Sequence, residues 1–341
     1  MKGKIRPIAK KGKRPPVDIA SLFGDLKNGD NTALAKAITL VESSRAKDFE
    51  YAEDLVTRCL KVERPSIRIG ITGVPGVGKS TFIEVFGSFL TSKGNKVAVL
   101  AVDPSSTITK GSILGDKTRM ESLSKDPNAF IRPSPARDAL GGVARHTRET
   151  IILCEAAGYD IILIETVGVG QSETLVHSMV DFFLLLKLAG AGDELQGVKR
   201  GIMELADAIV INKADGDNIK AVKHAITEFK RALHLYPPKD NTWTPQVTSC
   251  SALKNTGIDS VWKLASDFLD LTQTNGHFEK NRTQQDKNWF LQTLEEQVKH
   301  QFYTREGVQK RIHELIEKIE AREIAPVAAA HSLLNGEHDL S

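Results

Sequence analysis

The chain has 341 residues, 40% of them hydrophobic and 26% charged, a composition typical of a globular protein with one large domain and appendages or with two domains. Its net charge of +3 is concentrated at one end, because residues 1–16 carry seven basic side chains and no acidic one, while the rest has 39 basic against 43 acidic residues. We therefore expect no general affinity for nucleic acid. We also expect no membrane span, since no apolar run approaches the ~20 residues that one requires.

The N-terminal region predicts a tail followed by helices. Residues 1–16 are basic and favour disorder, and their charge leaves organelle targeting open as an alternative. From 17 to 64, apolar side chains recur every three or four residues, which predicts three short helices. The three cysteines show no CxxC spacing, so we expect them to be buried in a protein of a reducing compartment, the cytoplasm: Cys59, Cys154 and Cys250.

Residues 65–271 predict an α/β domain with a doubly wound, mostly parallel sheet. Nearly continuous apolar runs, as strands buried on both faces require, alternate with segments of helical length. The predicted strands are Ile67–Ile71, Val97–Val102, Asp160–Glu165, Phe182–Leu188, Ala208–Asn212 and Gln246–Cys250. In such sheets ligands bind at the carboxyl ends of the strands, where the motifs below fall.

A complete GxxxxGKS/T phosphate loop follows the first strand directly and predicts a P-loop nucleoside triphosphatase. Its backbone N–H groups would wrap the phosphates, Lys79 would reach the β- and γ-phosphates, and the Ser80 hydroxyl would ligate Mg²⁺. A helix from about Ser80 to Ser92 would direct its positive end at the anion. The candidate phosphate-binding residues are Gly73, Pro75, Gly76, Val77, Gly78, Lys79, Ser80 and Thr81.

An NKxD motif, Asn212-Lys213-Ala214-Asp215, ends the fifth predicted strand and indicates that the base is guanine. The Asp215 carboxylate can accept hydrogen bonds from guanine N1–H and the N2 amino group, which adenine lacks at that edge. Asn212 would brace the phosphate loop and Lys213 would lie along the base. At the end of the next strand, Ser251, Ala252 and Leu253 are candidates for contact with guanine O6. The predicted nucleotide is GTP.

Three acidic residues are candidates for the Mg²⁺ shell. Glu165, followed by Gly168, stands where GTPases usually carry DxxG, and it would contact the metal through a water or orient the attacking water. Asp103 follows the second strand, with a helix cap or Asx turn as the alternative. Asp116 lies in a glycine-containing segment, where a structural role is the alternative.

A glycine-rich segment at 189–200 follows the fourth strand and suggests a mobile loop. Lys199 or Arg200 could supply positive charge to the transition state, and a solvated loop is the alternative. A basic cluster, Arg137, Arg145, His146 and Arg148, would form either a solvated helix face or a contact for an anionic partner.

The C-terminal region predicts a polar linker at 272–284, a helical arm at 285–325 and a tail at 326–341. Apolar residues at four-residue spacing give the arm one stripe: Phe290, Leu294, Val298 and Phe302. This stripe would either pack back on its own sheet or form a homodimer interface.

The combination of motifs resembles the methylmalonyl-CoA mutase-associated G proteins (MeaB-like or ArgK-type). The resemblance covers about residues 17–325 and is carried by GVPGVGKST at 73–81, VDPSS at 102–106, GSILGDKTRM at 111–120, ETVGVGQSE at 165–173, AGAGDELQGVK at 189–199 and NKAD at 212–215. It implies a dimeric GTPase chaperone that gates adenosylcobalamin loading of a cobalamin-dependent acyl-CoA mutase and protects that enzyme, with the cobalamin adenosyltransferase as a second partner.

The same resemblance implies roles for individual residues. Asp103, Asp116 and Glu165 would surround Mg²⁺ and the phosphates, and glutamate in place of the aspartate of DxxG is normal for the family. Gln196 and Lys199 would belong to a switch that couples the mutase to hydrolysis. Two other functions stay open, a metal-insertion GTPase and a P-loop ATPase or kinase linked to transport or metabolism.

Overall fold

The computed structural model describes residues 17–102, 120–133, 140–166, 172–190 and 200–335. It forms two compact units, the first ending at Glu279 and the second beginning at Lys280. None of the described helices is long and apolar enough to cross a membrane. All three cysteines are free and buried, as the sequence predicts.

Within the described residues, seven strands form a single parallel sheet in the order β3-β2-β4-β1-β5-β6-β7. The strands are β1 Ile67–Gly73, β2 Val97–Val102, β3 Ala129–Arg132, β4 Ile161–Thr166, β5 Phe182–Leu188, β6 Ala208–Asn212 and β7 Gln246–Ser249. This confirms the predicted doubly wound α/β fold and its six strands. Strand β3 was missed because it is short and half-buried and therefore has no continuous apolar run.

Helices cover both faces of the sheet. The helices of both units, within the described residues, are α1 Ile19–Lys27, α2 Asn31–Val41, α3 Ala46–Cys59, α4 Lys79–Ser92, α5 Leu140–Ala156, α6 Ser172–His177, α7 Arg200–Leu205, α8 Ile219–Leu233, α9 Ile258–Thr274, α10 His277–Tyr303, α11 Val308–Glu320 and α12 Pro326–Asn335. Helices α4 and α9 pack on one face, and α8 packs on the other beside β6 and β7. The three N-terminal helices, predicted from their apolar spacing, pack on one another and on α5.

An aspartate immediately before each of three strands fixes the register at the amino edge of the sheet. The Asp181 N–H donates to the Arg68 carbonyl at 2.9 Å, and its carboxylate accepts the Arg68 N–H at 2.8 Å. The same two-way exchange joins Asp160 to Lys96 and Asp207 to Phe183. Because each carboxylate takes an N–H at the start of a neighbouring strand, these residues lock adjacent strands against slippage.

The predicted linker at 272–284 is mostly helical. Helix α9 continues to Thr274 and α10 begins at His277, with two residues between the helices, and the boundary between the two compact units falls within this range. The polar composition there comes from exposed helix surface, a pattern that composition alone does not distinguish from irregular chain. Part of the predicted tail, Pro326–Asn335, is also helical and packs on α11 within the second unit.

We expect Asp181→Ala to lower the free energy of unfolding by about 1–3 kcal/mol, since it leaves the Arg68 N–H unpaired beside a buried side chain. Chemical denaturation would measure the change. Asp270→Ala, at an exposed position of α9, is the matched control and should change stability by less than about 0.5 kcal/mol. Equal effects of the two substitutions would contradict the register role.

Candidate functional site

The phosphate loop connects β1 to α4 and requires glycine at two close approaches. Gly78 has φ of 94°, and a Cβ there would lie 2.8 Å from Nδ2 of Asn212. A Cβ on Gly73 would lie 2.6 Å from the Leu186 carbonyl oxygen. Both contacts are shorter than any side chain tolerates, so these glycines allow the loop to press against β5 and β6.

The loop brings a cation, a hydroxyl and a carboxylate together. Lys79 Nζ donates to the Gly73 carbonyl at 2.8 Å and so lies along the inside of the loop. The Ser80 hydroxyl donates to Oε1 of Glu165, 3.5 Å away, and Glu165 itself is 4% exposed at the end of β4. Charges of both signs therefore meet beside the N-terminus of α4, where the helix dipole favours an anion.

A second buried carboxylate, Glu173 on α6, acts on the loop lysine and was missed as a site residue. Burial lowers the pKa of Lys79, while the charges of Glu165 and Glu173 oppose that shift. Glu173 is 1% exposed. The sequence contains it within ETVGVGQSE, but only the packing of α6 shows that its charge reaches Lys79.

Asn212 joins the phosphate loop to the end of β7. Its Nδ2 donates to the Val77 carbonyl at 2.9 Å, and its Oδ1 accepts the Ala252 N–H at 3.3 Å. The buried Cys250 thiol also donates to Oδ1, with the sulfur 3.6 Å away. Burial raises the pKa of Cys250 to about 12, which keeps the thiol protonated and able to donate. The sequence predicts Cys250 only as a buried residue and gives no sign of this contact.

The residues predicted to recognise the base form a second cluster beside the loop. Lys213, whose φ is 57°, extends its Nζ to the Gly76 carbonyl at 2.9 Å. Asp215 accepts a hydrogen bond from the buried Ser251 hydroxyl through Oδ2. This bond orients the carboxylate, and the exposed Leu253 lies on the same turn, which Ser251 and Thr256 close by backbone pairing.

Oxygen donors near the loop fit a magnesium ion. Mg²⁺ prefers hard oxygen ligands and is usually held by one or two protein groups together with phosphates and water. The Ser80 hydroxyl and the Glu165 carboxylate supply two such groups at one point. Of the predicted site residues, Asp103, Asp116, Gly168, Gln196 and Lys199 lie outside the described residues.

Comparison with known proteins gives consistent results. The family model of the methylmalonyl-CoA mutase-associated GTPase MeaB matches residues 34–307. A putative GTPase of Caulobacter vibrioides is 50% identical over 94% of this chain and 98% of its own. The GTPase ArgK of Escherichia coli is 45% identical over 90% and 93%, and the mitochondrial methylmalonic aciduria type A homolog of Mus musculus is 45% identical over 92% and 78%.

A solved structure extends the likeness to three dimensions. The crystal structure described as an LAO/AO transport system kinase has a TM-score of 0.76 and 37% identity, covering 94% of this chain and 98% of its own. This structural relative supports the P-loop fold and its parallel sheet over nearly the whole chain.

Base specificity can be tested at Asp215. Asp215→Asn should weaken GTP binding at least tenfold, because an amide donor would face the guanine donors, and should favour xanthosine triphosphate. Direct binding of the two nucleotides would measure the exchange. Asp217→Asn, an exposed position two residues further on, is the control and should leave the preference for GTP intact. Undiminished GTP affinity in Asp215→Asn would show that the base is recognised elsewhere.

Proposed function

The chain belongs to the family of methylmalonyl-CoA mutase-associated GTPases, and we propose that it uses GTP hydrolysis to gate adenosylcobalamin loading of a cobalamin-dependent acyl-CoA mutase and to protect that enzyme. The observation that carries the GTPase part is the network of Asn212, which ties a complete phosphate loop to a guanine-binding segment. The family match over residues 34–307 supports the mutase as partner. The adenosyltransferase that makes the cofactor would be a second, transient partner.

Hydrolysis would proceed by positioning and charge stabilisation. The loop N–H groups would hold the phosphates, and Lys79 would exchange its carbonyl contact for the β- and γ-phosphate oxygens. Glu165, whose carboxylate accepts the Ser80 hydroxyl, would orient the attacking water. Ser80 and Glu165, joined by Asp103 and Asp116, would hold Mg²⁺, which when bound neutralises phosphate charge. Gly168 would donate its N–H to the γ-phosphate, while Gln196 and Lys199 would complete the site when the mutase docks.

The base-binding segment would make the protein respond to GTP and not to ATP. The Asp215 carboxylate, held by Ser251, would accept the two guanine donors, and Ala252 and Leu253 would lie at the O6 edge. A site built from hydrogen bonds to these groups discriminates against adenine more strongly than an apolar pocket would. This favours the GTPase over an ATPase or kinase linked to transport.

The mutase partnership can be tested with the purified chain and a cobalamin-dependent acyl-CoA mutase from the same cells. We expect the mutase to raise the rate of GTP hydrolysis. Lys199→Ala should bind GTP as tightly as the unaltered chain yet lose most of that stimulation, since the residue is proposed to act on docking. Isothermal titration calorimetry would measure GTP binding. The release of inorganic phosphate would measure the rate of GTP hydrolysis.

Two controls frame this experiment. Lys79→Ala should lose tight GTP binding altogether, because it removes the phosphate-binding cation. Lys223→Ala, exposed on α8, should respond to the mutase like the unaltered chain. Full stimulation of Lys199→Ala would remove that residue from the switch, and no response of the unaltered chain to any such mutase would overturn the proposed partnership.

We also propose that residues 285–325 form a homodimer interface. Phe290, Leu294 and Val298 are 65%, 47% and 57% exposed on α10. Large apolar side chains at this spacing form one stripe, and each buried against a second copy would contribute roughly 1.5–3 kcal/mol before ordering costs. A dimer would give the two GTP sites a fixed relation and offer the mutase a symmetric surface.

The dimer predicts a clear result on truncation. A chain ending at Asn281 should sediment as a monomer that still binds GTP, because all nucleotide motifs precede it, and should respond weakly to the mutase. Phe290→Asp should also weaken association, whereas Gln292→Glu on the same helix should not. Analytical ultracentrifugation at micromolar concentration decides the question, and a monomeric full-length chain would rule the interface out.

A further inference from the structure

Two threonine hydroxyls form a hydrogen bond in the sheet directly beneath the phosphate site. The Thr166 hydroxyl, on β4, donates to the Thr72 hydroxyl, on β1, at 2.8 Å. Both residues are buried, with exposures of 0% and 1%. A hydroxyl that is buried away from water costs free energy unless it has a hydrogen-bond partner. Each threonine hydroxyl is therefore stabilised by its bond to the other.

The pair lies at the carboxyl ends of β1 and β4. Thr72 directly precedes Gly73, the first residue of the phosphate loop, and Thr166 directly precedes the segment 167–171. Thr166 also pairs with Val102, the last residue of β2. The carboxyl ends of β1, β2 and β4 thus meet at one level of the sheet.

The immediate neighbour of Thr166 is Glu165, whose carboxylate meets the Ser80 hydroxyl. Glu165 is paired with Ile71 across the same two strands, one step before the threonines. The backbone that carries Glu165 is therefore held to the backbone that carries the phosphate loop by both the ladder and the hydroxyl bond. Threonine suits this task because its branched side chain is stiff at χ1.

Resting on the role proposed above for Glu165, we propose that Thr72 and Thr166 are positioning residues for GTP hydrolysis. Their bond fixes Glu165, and the start of the 167–171 segment, relative to the phosphate loop. Binding of GTP depends on the loop itself and on the base cluster, neither of which uses these hydroxyls. The pair therefore controls kcat and leaves KM for GTP nearly unchanged.

The first test is Thr166→Val, which keeps the shape and removes the hydroxyl. A misplacement of about 1 Å at a catalytic group can cost about a hundredfold in rate. For the smaller shift that loss of one hydroxyl causes, we expect kcat to fall about tenfold, with KM for GTP changed by less than about threefold. Thr166→Ser keeps the hydroxyl and should retain a kcat within about threefold of the unaltered chain. Unchanged kcat in Thr166→Val, or a rise in KM alone, overturns the proposal.

The double variant Thr72→Val/Thr166→Val separates positioning from stability. Replacing both partners leaves no unpaired buried hydroxyl, so this chain should fold even where the single variant does not. It should hydrolyse GTP as slowly as Thr166→Val, since both lack the same bond. A double variant with the kcat of the unaltered chain would overturn the proposal.

Thr272→Val is the matched control for loss of a buried hydroxyl. Thr272 is 1% exposed on α9 and donates to the Phe268 carbonyl at 2.9 Å. We expect a lower melting temperature and an unchanged kcat. If kcat falls as far in this variant as in Thr166→Val, the threonine pair has only a general structural role.

Discussion

The register between neighbouring parallel strands is the constraint on which the geometry of the nucleotide site depends. The phosphate loop begins where β1 ends, and Glu165 and Asn212 lie in the last residues of β4 and β6, so a slip of one residue between neighbours would shift each by about 3.3 Å. The aspartates that precede β4, β5 and β6 prevent such a slip from the opposite edge of the sheet. Charge-assisted hydrogen bonds to backbone N–H groups suit this task because they hold the backbone of the neighbouring strand directly.

At the carboxyl edge of the sheet, the Asn212 side chain connects the phosphate loop to the segment that follows β7. Its amide reaches the phosphate loop through Val77 and the base segment through Ala252, so the two halves of the nucleotide site share one side chain. Gly78 permits the approach because no Cβ intervenes. The phosphate loop and the segment proposed to bind the base are consequently parts of one hydrogen-bonded structure.

The local motifs allowed most of the fold to be predicted, since buried parallel strands and phosphate loops leave strong patterns. Strand β3 was not predicted, because it has no continuous apolar run. The helices across 272–284 were not predicted either, because their faces there are polar. Long-range contacts such as Cys250 with Asn212 could not be predicted either. They depend on which strands become neighbours, and no spacing within the sequence records that β6 lies beside β7.

The burial of every cysteine has a practical consequence for measuring motion. Burial raises the pKa of the Cys59 thiol and of the Cys250 thiol to about 12, and raises that of Cys154 as well. Thiols so protected react slowly with maleimides, which attack the thiolate. A single cysteine introduced on an exposed helix can therefore carry a fluorescent label without removal of the native ones, and a chain with its natural core can report distances as the nucleotide changes.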